Sequence, residues 1–176
     1  NNPTKHIDIG SRLEGFICNV ASFREIEVYD IRPLDNKIKN VHFKQVDVMD
    51  TNSIGTNQFE SVSSLHALEH FGLGRYTDKI CYKGFEIGFN NITKALKQNG
   101  KFYFSVPIGK QRVEFHAHRV FSLKYLSVII SKNYNIDSFS YVDDENIFYP
   151  NSNYKDGLEN NFNCRFGCGI FELTKK

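Results

Sequence analysis

Two short strings concentrate the side chains able to move a proton or grip a charged ligand. The first, Leu65-His66-Ala67-Leu68-Glu69-His70-Phe71-Gly72-Leu73-Gly74-Arg75-Tyr76, holds two imidazoles, a carboxylate and a guanidinium. The second, Phe115-His116-Ala117-His118-Arg119, adds two more imidazoles and another guanidinium. An imidazole titrates near neutral pH, so each histidine is a candidate base for a substrate hydroxyl. His70 and His116 are preferred in that role, with His118 behind them. His66 and His70 share one face if a short helix forms there. Glu69 either orients a histidine, contacts substrate, or forms an ion pair with Arg75 or Arg119. Gly72 and Gly74 read as a tight turn that folds Arg75 and Tyr76 back over a pocket. If Arg75 and Arg119 both face inward, the ligand carries phosphate or carboxylate, which a guanidinium grips with two hydrogen bonds. For each histidine the bland alternative is an ordinary core or surface residue.

The elements that must position these strings alternate along the chain. Lys5–Ile9 reads as a strand running into Gly10 and Ser11. Leu13, Phe16, Ile17 and Val20 then mark one helix face. A second strand ends at Asp30 and Ile31, before Pro33. A third runs over 41–48 and carries Asp47, with Asp50 just beyond. A fourth, Phe59–Leu65, feeds the first histidine string. A helix over 82–97 is closed by Asn99-Gly100, a pair suited to left-handed geometry. A fifth strand spans 101–106, and a helix capped by Ser122 follows. Strands over 136–142 and 169–173 end the pattern, joined by a polar segment, 143–163, that reads as a lid or a mobile loop. Five strand–helix units predict a parallel sheet covered on both faces, in one domain over 1–176. The last two strands lack a helix between them, so the final strand is expected antiparallel. Ligands in such sheets sit beyond the C-terminal strand ends, where the histidine strings fall.

Composition narrows the function classes. The net charge of +2 gives no electrostatic case for nucleic acid. No apolar run approaches the roughly 18 residues that span a bilayer, so no membrane partner is expected. The four cysteines, Cys18, Cys81, Cys164 and Cys168, match no zinc-knuckle or redox-pair spacing. They read as reduced thiols in a cytoplasmic protein, with Cys18 in the core and no metal. The chain starts Asn-Asn-Pro, as a piece of a longer protein would.

In order and spacing these segments resemble the class I S-adenosylmethionine-dependent methyltransferases. His6-Ile-Asp-Ile-Gly-Ser is similar to their first motif, Asp30 to their ribose-binding acid and Val46-Asp47-Val48 to their adenine-contacting segment. Leu65-His-Ala-Leu-Glu-His and Leu96-Lys-Gln-Asn-Gly-Lys-Phe-Tyr-Phe-Ser-Val-Pro resemble the fourth- and fifth-strand signatures of the small-molecule branch. The strings Glu69-His-Phe-Gly-Leu-Gly-Arg-Tyr and Phe115-His-Ala-His-Arg resemble one uncharacterised branch of that superfamily.

The resemblance implies a Rossmann-like three-layer α/β sandwich with strand order 3-2-1-4-5-7-6. It implies S-adenosylmethionine as cofactor, S-adenosylhomocysteine as product, and a small-molecule or sugar-like hydroxyl as acceptor. Cofactor contacts fall on Gly10, Ser11, Asp30, Ile31, Asp47, Val48, Leu65 and His66, with Asp8 facing the cofactor's amino group or orienting the turn. The first motif departs from the family pattern, since Arg12 and Leu13 stand where small residues are usual. The absence of G-x-G-x-x-G argues against a nicotinamide dinucleotide. The alternatives are a methyltransferase-like binding or assembly module and a different group transfer on the same fold.

Overall fold

A computed structural model describes residues 2–176. In chain order its main elements are β1 (Lys5–Ile9), α1 (Gly15–Ala21), β2 (Glu25–Asp30), β3 (Val41–Gln45), β4 (Phe59–Leu65), α2 (Gly84–Ala95) and β5 (Leu96–Ile108). Then come β6 (Arg112–Glu114), β7 (His118–Val120), α3 (Leu123–Ser131), β8 (Tyr134–Val142), β9 (Phe148–Tyr149) and β10 (Gly167–Lys175). The main sheet has the order β3-β2-β1-β4-β5-β10-β8-β9. Strands β1 to β5 are mutually parallel, and β10 runs antiparallel between β5 and β8. This is the anticipated Rossmann-like sheet with its antiparallel last strand. Two details are added: β9 extends the edge beside β8, and β6–β7 form a separate hairpin.

One sheet face carries most of the core. Alternate residues of β5 (Phe102, Phe104, Val106, Ile108) point to it and pack against Phe85, Phe89 and Ile92 of α2 and Leu126 and Ile130 of α3. Phe89 lies 5.7 Å from both Phe102 and Phe104, ring centre to ring centre, and Phe85 lies 4.4 Å from Phe121. Each buried ring contributes about 2–3 kcal/mol through lost water contact. The opposite face is thinner. Among the described residues α1 covers part of it, laying Ile17 and Ala21 over Ile26, Val28 and Val41, with Leu34 and Phe43 packed alongside. Beyond α1 this face is polar or open to solvent, with Tyr103 38% exposed.

Two local expectations are corrected, and a third segment gains detail. The helix α2 ends at Ala95, not at Asn99-Gly100, because Leu96 turns extended and pairs with Phe59. Asn99 does adopt the left-handed backbone (φ 60), within the irregularity between the Phe59–Leu96 and Ser61–Lys101 pairings. Cys18 is exposed, because Ile17 and Ala21 take the buried stripe of the short α1. The 143–163 segment is built rather than open loop. Its Phe162 stacks on Tyr141 at 4.3 Å, as does Tyr149 at 4.6 Å. The Asp144 carboxylate accepts the amides of Arg165 and Phe166.

Candidate functional site

Four strand ends converge on one cleft. It encloses ≈ 560 Å³ of atom-free space, open solvent at its mouth included. Gly10 enters it at the tip of β1 with φ +82, and a Cβ there would lie 2.6 Å from the Ala67 side chain. Glycine is therefore needed both for the turn and for the close passage of the post-β4 segment. Asp30 and Ile31 line the cleft from β2, and Asp47 and Val48 from the turn after β3. That turn is self-supporting: Asp47 Oδ1 accepts the Met49 amide at 2.8 Å, and Asn91 of α2 donates to the Val48 carbonyl at 2.9 Å.

Asp30 is not free. The Arg32 guanidinium spans both its oxygens, Nε to Oδ1 at 3.0 Å and Nη2 to Oδ2 at 2.5 Å. Arg32 also stacks over the Tyr76 ring at 4.6 Å, so a cation and a ring roof the cleft above Asp30. The Arg32–Tyr76 contact does not follow from sequence spacing, since the two lie 44 positions apart.

Asp8, Ser11 and Leu65 do not line this cleft. Asp8 is fully buried; its carboxylate accepts the Ser11 amide at 3.1 Å and the Ser63 hydroxyl, which makes it the organiser of the turn. The Ser63 oxygen in turn accepts His6 Nε2–H at 2.9 Å, and Ser61 donates to His6 Nδ1 at 2.7 Å. Leu65 is the last residue of β4 and sets His66 beyond the strand end.

This buried chain has opposed acid–base behaviour. Burial lifts the Asp8 carboxyl to about 6, against the pull of its hydrogen bonds. Burial, with the Arg24 charge behind it, drops His6 to about 4. Asp8 therefore stabilises the fold when protonated, an effect complete below pH 3.8 and lost as pH rises through about 6. His6 acts oppositely: its neutral form is the one that fits, so stability is lost as pH falls from 6.5 through about 4. Each displacement is worth about 3 kcal/mol, so the two largely cancel in the wild type between pH 4 and 6. Asp8→Asn is expected to remove one arm. Its urea midpoint should fall steadily on acidification through that window while the wild-type midpoint stays nearly level; parallel curves would contradict this.

The segment after β4 carries the remaining polar groups. Leu68–His70 forms one 3₁₀ turn, and it buries Glu69 to 2% exposure. Glu69 Oε1 accepts His66 Nδ1–H at 3.1 Å and lies 3.7 Å from His70 Nε2; Oε2 has no hydrogen-bond partner. His70 donates Nδ1–H to the Ala117 carbonyl at 2.6 Å, which fixes its tautomer and leaves Nε2 as an acceptor. Burial lowers the His70 pKa, outweighing the nearby Glu69 carboxylate, so the ring is neutral near pH 7. Both His66 and His70 line the cleft.

Other expected members fall elsewhere. His116 occupies the exposed β6–β7 turn with φ 60, and the hairpin points it away from the cleft lining. His118 begins β7; its ring lies 6.3 Å from His70, and Nε2 is buried without a partner, 3.7 Å from Glu114. Arg75 is exposed and donates to the Ala117 carbonyl at 3.1 Å. Arg119 is buried and spends its guanidinium on the carbonyls of Phe71 (2.5 Å), Glu69 (3.3 Å) and Tyr82 (3.3 Å). Among the described residues it pairs with no carboxylate, so of the alternatives for Glu69 the ion pair with Arg119 is not the one formed; Arg119 braces the loop backbone instead. Asp78 closes the loop, its carboxylate accepting the amides of Gly72, Gly74 and Tyr76. Gly72 needs its φ of +75, since a Cβ would meet the Cys81 carbonyl oxygen at 2.2 Å. Among the described residues no cluster of His, Cys, Asp and Glu has a metal-binding arrangement, and no helix is long and apolar enough to cross a membrane.

Sequence reasoning missed one partner entirely. Cys168, on β10, places Sγ 3.0 Å from His66 Nε2, across 102 positions of chain. No spacing signal exists for such a pair; only the antiparallel return of β10 beside β5 creates it.

Comparisons agree with the fold. The chain is similar to the Burkholderia thailandensis 1,6-didemethyltoxoflavin-N1-methyltransferase, solved with 1,6-didemethyltoxoflavin and S-adenosylhomocysteine (TM-score 0.67, 13% identity, 99% of this chain and 72% of that one). It is also similar to the N-methyltransferase NodS of Bradyrhizobium japonicum WM9 in complex with S-adenosylhomocysteine (0.62, 11%, 98% and 78%). Haemonchus contortus phosphoethanolamine N-methyltransferase 2, in complex with S-adenosylmethionine, matches at 0.64 with 16% identity over 98% of this chain and 48% of that one. At these identities the likeness concerns the fold, which is that of class I methyltransferases. No curated protein sequence matches the chain. The model of the family described as "Caenorhabditis protein of unknown function, DUF268" matches residues 21–163, and with that span covered the chain belongs to this family.

Proposed function

We propose that this protein is an S-adenosylmethionine-dependent methyltransferase acting on the hydroxyl of a small or sugar-like acceptor. The observation that carries the reading is the shared cleft. A glycine turn after β1, an acid at the end of β2, the Asp47–Val48 turn and the histidine segment after β4 all open into it. Gly10 supports it further, since its contact with Ala67 leaves no room for a side chain at the cleft floor.

When bound, S-adenosylmethionine supplies an electrophilic methyl on a sulfonium. The residues that would hold it are Asp30, through ribose hydroxyls, and the Asp47–Val48 turn, through the adenine edge. The chain's own part in catalysis is positioning and proton removal. His70 is the base: Nδ1–H is pinned by the Ala117 carbonyl, the ring is neutral, and Nε2 is left to take an acceptor proton. Glu69, 3.7 Å away, offsets the imidazolium charge that forms. Arg119 is committed to backbone carbonyls, so any phosphate or carboxylate on the acceptor falls to Arg75 alone. The same reading includes a cytoplasmic protein without nucleic-acid or membrane partners.

A binding or assembly module without transferase activity is the second reading. The engagement of both Asp30 oxygens by Arg32 favours it. Acceptor panels incubated with S-adenosylmethionine separate the two. The transferase reading expects S-adenosylhomocysteine to accumulate only when a hydroxylated acceptor is present. A folded chain that produces none across sugars, nucleotide sugars and small alcohols would favour the module.

A further inference from the structure

The Cys168 thiol has no part in the methyl-transfer reading, yet it is one end of an ordered chain of groups. His66 Nε2 faces its sulfur at 3.0 Å, and His66 Nδ1 faces the Glu69 carboxylate at 3.1 Å. We propose that Cys168, activated by His66 and Glu69, is a nucleophilic thiol that takes low-molecular-weight disulfides by thiol–disulfide exchange.

Three observations support the assignment. The first is the order of the groups: a carboxylate holds the imidazole, and the imidazole faces the thiol, which is the sequence that activates a nucleophile. The second is charge. Glu69 is 2% exposed and one of its oxygens has no partner. An ionised carboxylate held this deep is stabilised by a nearby cation. Arg119 does not supply it, because its guanidinium goes to carbonyls, and His70 is held as a neutral donor to Ala117. A proton moved from Cys168 to His66 creates the cation 3.1 Å from Glu69 and leaves a thiolate. Burial lowers the His66 pKa, but the hydrogen bonds to Cys168 and Glu69 and their charges outweigh it and raise the ring well above the usual imidazole range. The third is backbone. His66 holds φ +53, a left-handed backbone that histidine adopts more readily than most residues, with its amide fixed to the Ser105 carbonyl at 3.0 Å. That posture aims the ring between Glu69 and Cys168.

The same surroundings select the electrophile. Acyl transfer needs amide donors for an oxyanion, but β10 is paired on both sides, to β5 and β8, and its amides are committed to the ladders. Opposite Cys168 on β5 stands Pro107, which has no N–H. Disulfide exchange needs no oxyanion hole, because charge stays on sulfur. The Cys168 thiolate attacks one sulfur of R–S–S–R and the S–S bond breaks. The departing R–S⁻ takes the proton from the His66 imidazolium and leaves as R–SH. Cys168 is half-buried and the His66 side chain is 44% exposed, so a small disulfide reaches the pair from solvent.

The test uses the reduced chain and glutathione disulfide at neutral pH, with each cysteine followed by peptide mass spectrometry. No methyl donor is added, so the outcome is independent of the transferase reading. The exposed Cys18 is the internal reference, and burial pushes the Cys164 thiol up to about 11, so it should be slowest. Cys168 is expected to react at least about tenfold faster than Cys18, because an ordinary thiol is only a few per cent thiolate at this pH. His66→Asn, which tolerates the left-handed backbone, should bring Cys168 to or below the Cys18 rate, and so should Glu69→Gln. If Glu69→Gln does not fold, His66→Asn decides alone. Cys168 reacting no faster than Cys18, or a fast rate that survives His66→Asn in a natively melting chain, overturns the proposal.

Discussion

Arg119→Ala is expected to lower the unfolding free energy by roughly 3 kcal/mol in urea titrations at neutral pH. The loop from Leu68 to Tyr82 puts Leu68, Phe71 and Leu73 into the protein but is otherwise polar or exposed. It is tied from outside by the Arg119 guanidinium, which donates to the carbonyls of Glu69, Phe71 and Tyr82. Hydrogen bonds from a charged donor contribute about 1.5–3 kcal/mol each, and their loss leaves the buried Glu69 carbonyl and the part-buried Phe71 and Tyr82 carbonyls without this donor. Burial already lowers the Arg119 pKa, so part of the gain is offset by the cost of desolvating the charge. That offset is why the expected loss is not the sum of three bonds. Arg119→Lys should recover less than half, since an ammonium cannot span three carbonyls in the fork geometry. Amide exchange in the loop should rise with the loss of stability. A change below about 1 kcal/mol in Arg119→Ala would mean that Asp78 and the glycine turn hold the loop unaided.

His70→Ala is expected to lower acceptor-dependent formation of S-adenosylhomocysteine by about 10²- to 10⁴-fold, the usual contribution of a positioned general base. The fold should survive, because the ring lies at the cleft and its one strong hydrogen bond goes to the Ala117 carbonyl of the exposed hairpin. The pH profile gives a second readout. Burial lowers the His70 pKa, so the neutral, proton-accepting form prevails at lower pH than in a free imidazole. The rate should rise with pH with its midpoint below the ordinary histidine value of 6.5. A profile that keeps rising through pH 8, or a variant that keeps more than a tenth of the rate, would assign the base elsewhere.

Local pattern carried much of the architecture. β4 spans Phe59–Leu65 as expected from the sequence, and Ser122 caps α3 by accepting the Tyr125 amide. The alternation of strands and helices, and the missing helix before β10, dictated a parallel sheet with one reversed strand. Helix α2 was legible in type but not in extent. Its end depends on Leu96 pairing with Phe59, a contact of 37 positions that no propensity encodes.

The site divided along the same line. Residues at strand ends, such as Gly10, Asp30 and His66, were legible because periodicity marks where a strand stops. Side-chain partners were not. Tyr76 under Arg32, Arg119 on three carbonyls and Cys168 on His66 each depend on where distant backbone passes. His116 illustrates the reverse error: it sits two positions from His118, but the hairpin turn between β6 and β7 sends it to solvent. Spacing in a sequence does not distinguish a turn tip from a strand start.

Isothermal titration calorimetry of the folded chain with S-adenosylhomocysteine tests the central claim most directly. The account predicts saturable one-site binding that weakens at least about tenfold in Asp30→Ala, because ribose hydroxyls lose a charged acceptor. Absence of binding heat in a chain that melts cooperatively, or binding unchanged by Asp30→Ala, would contradict it.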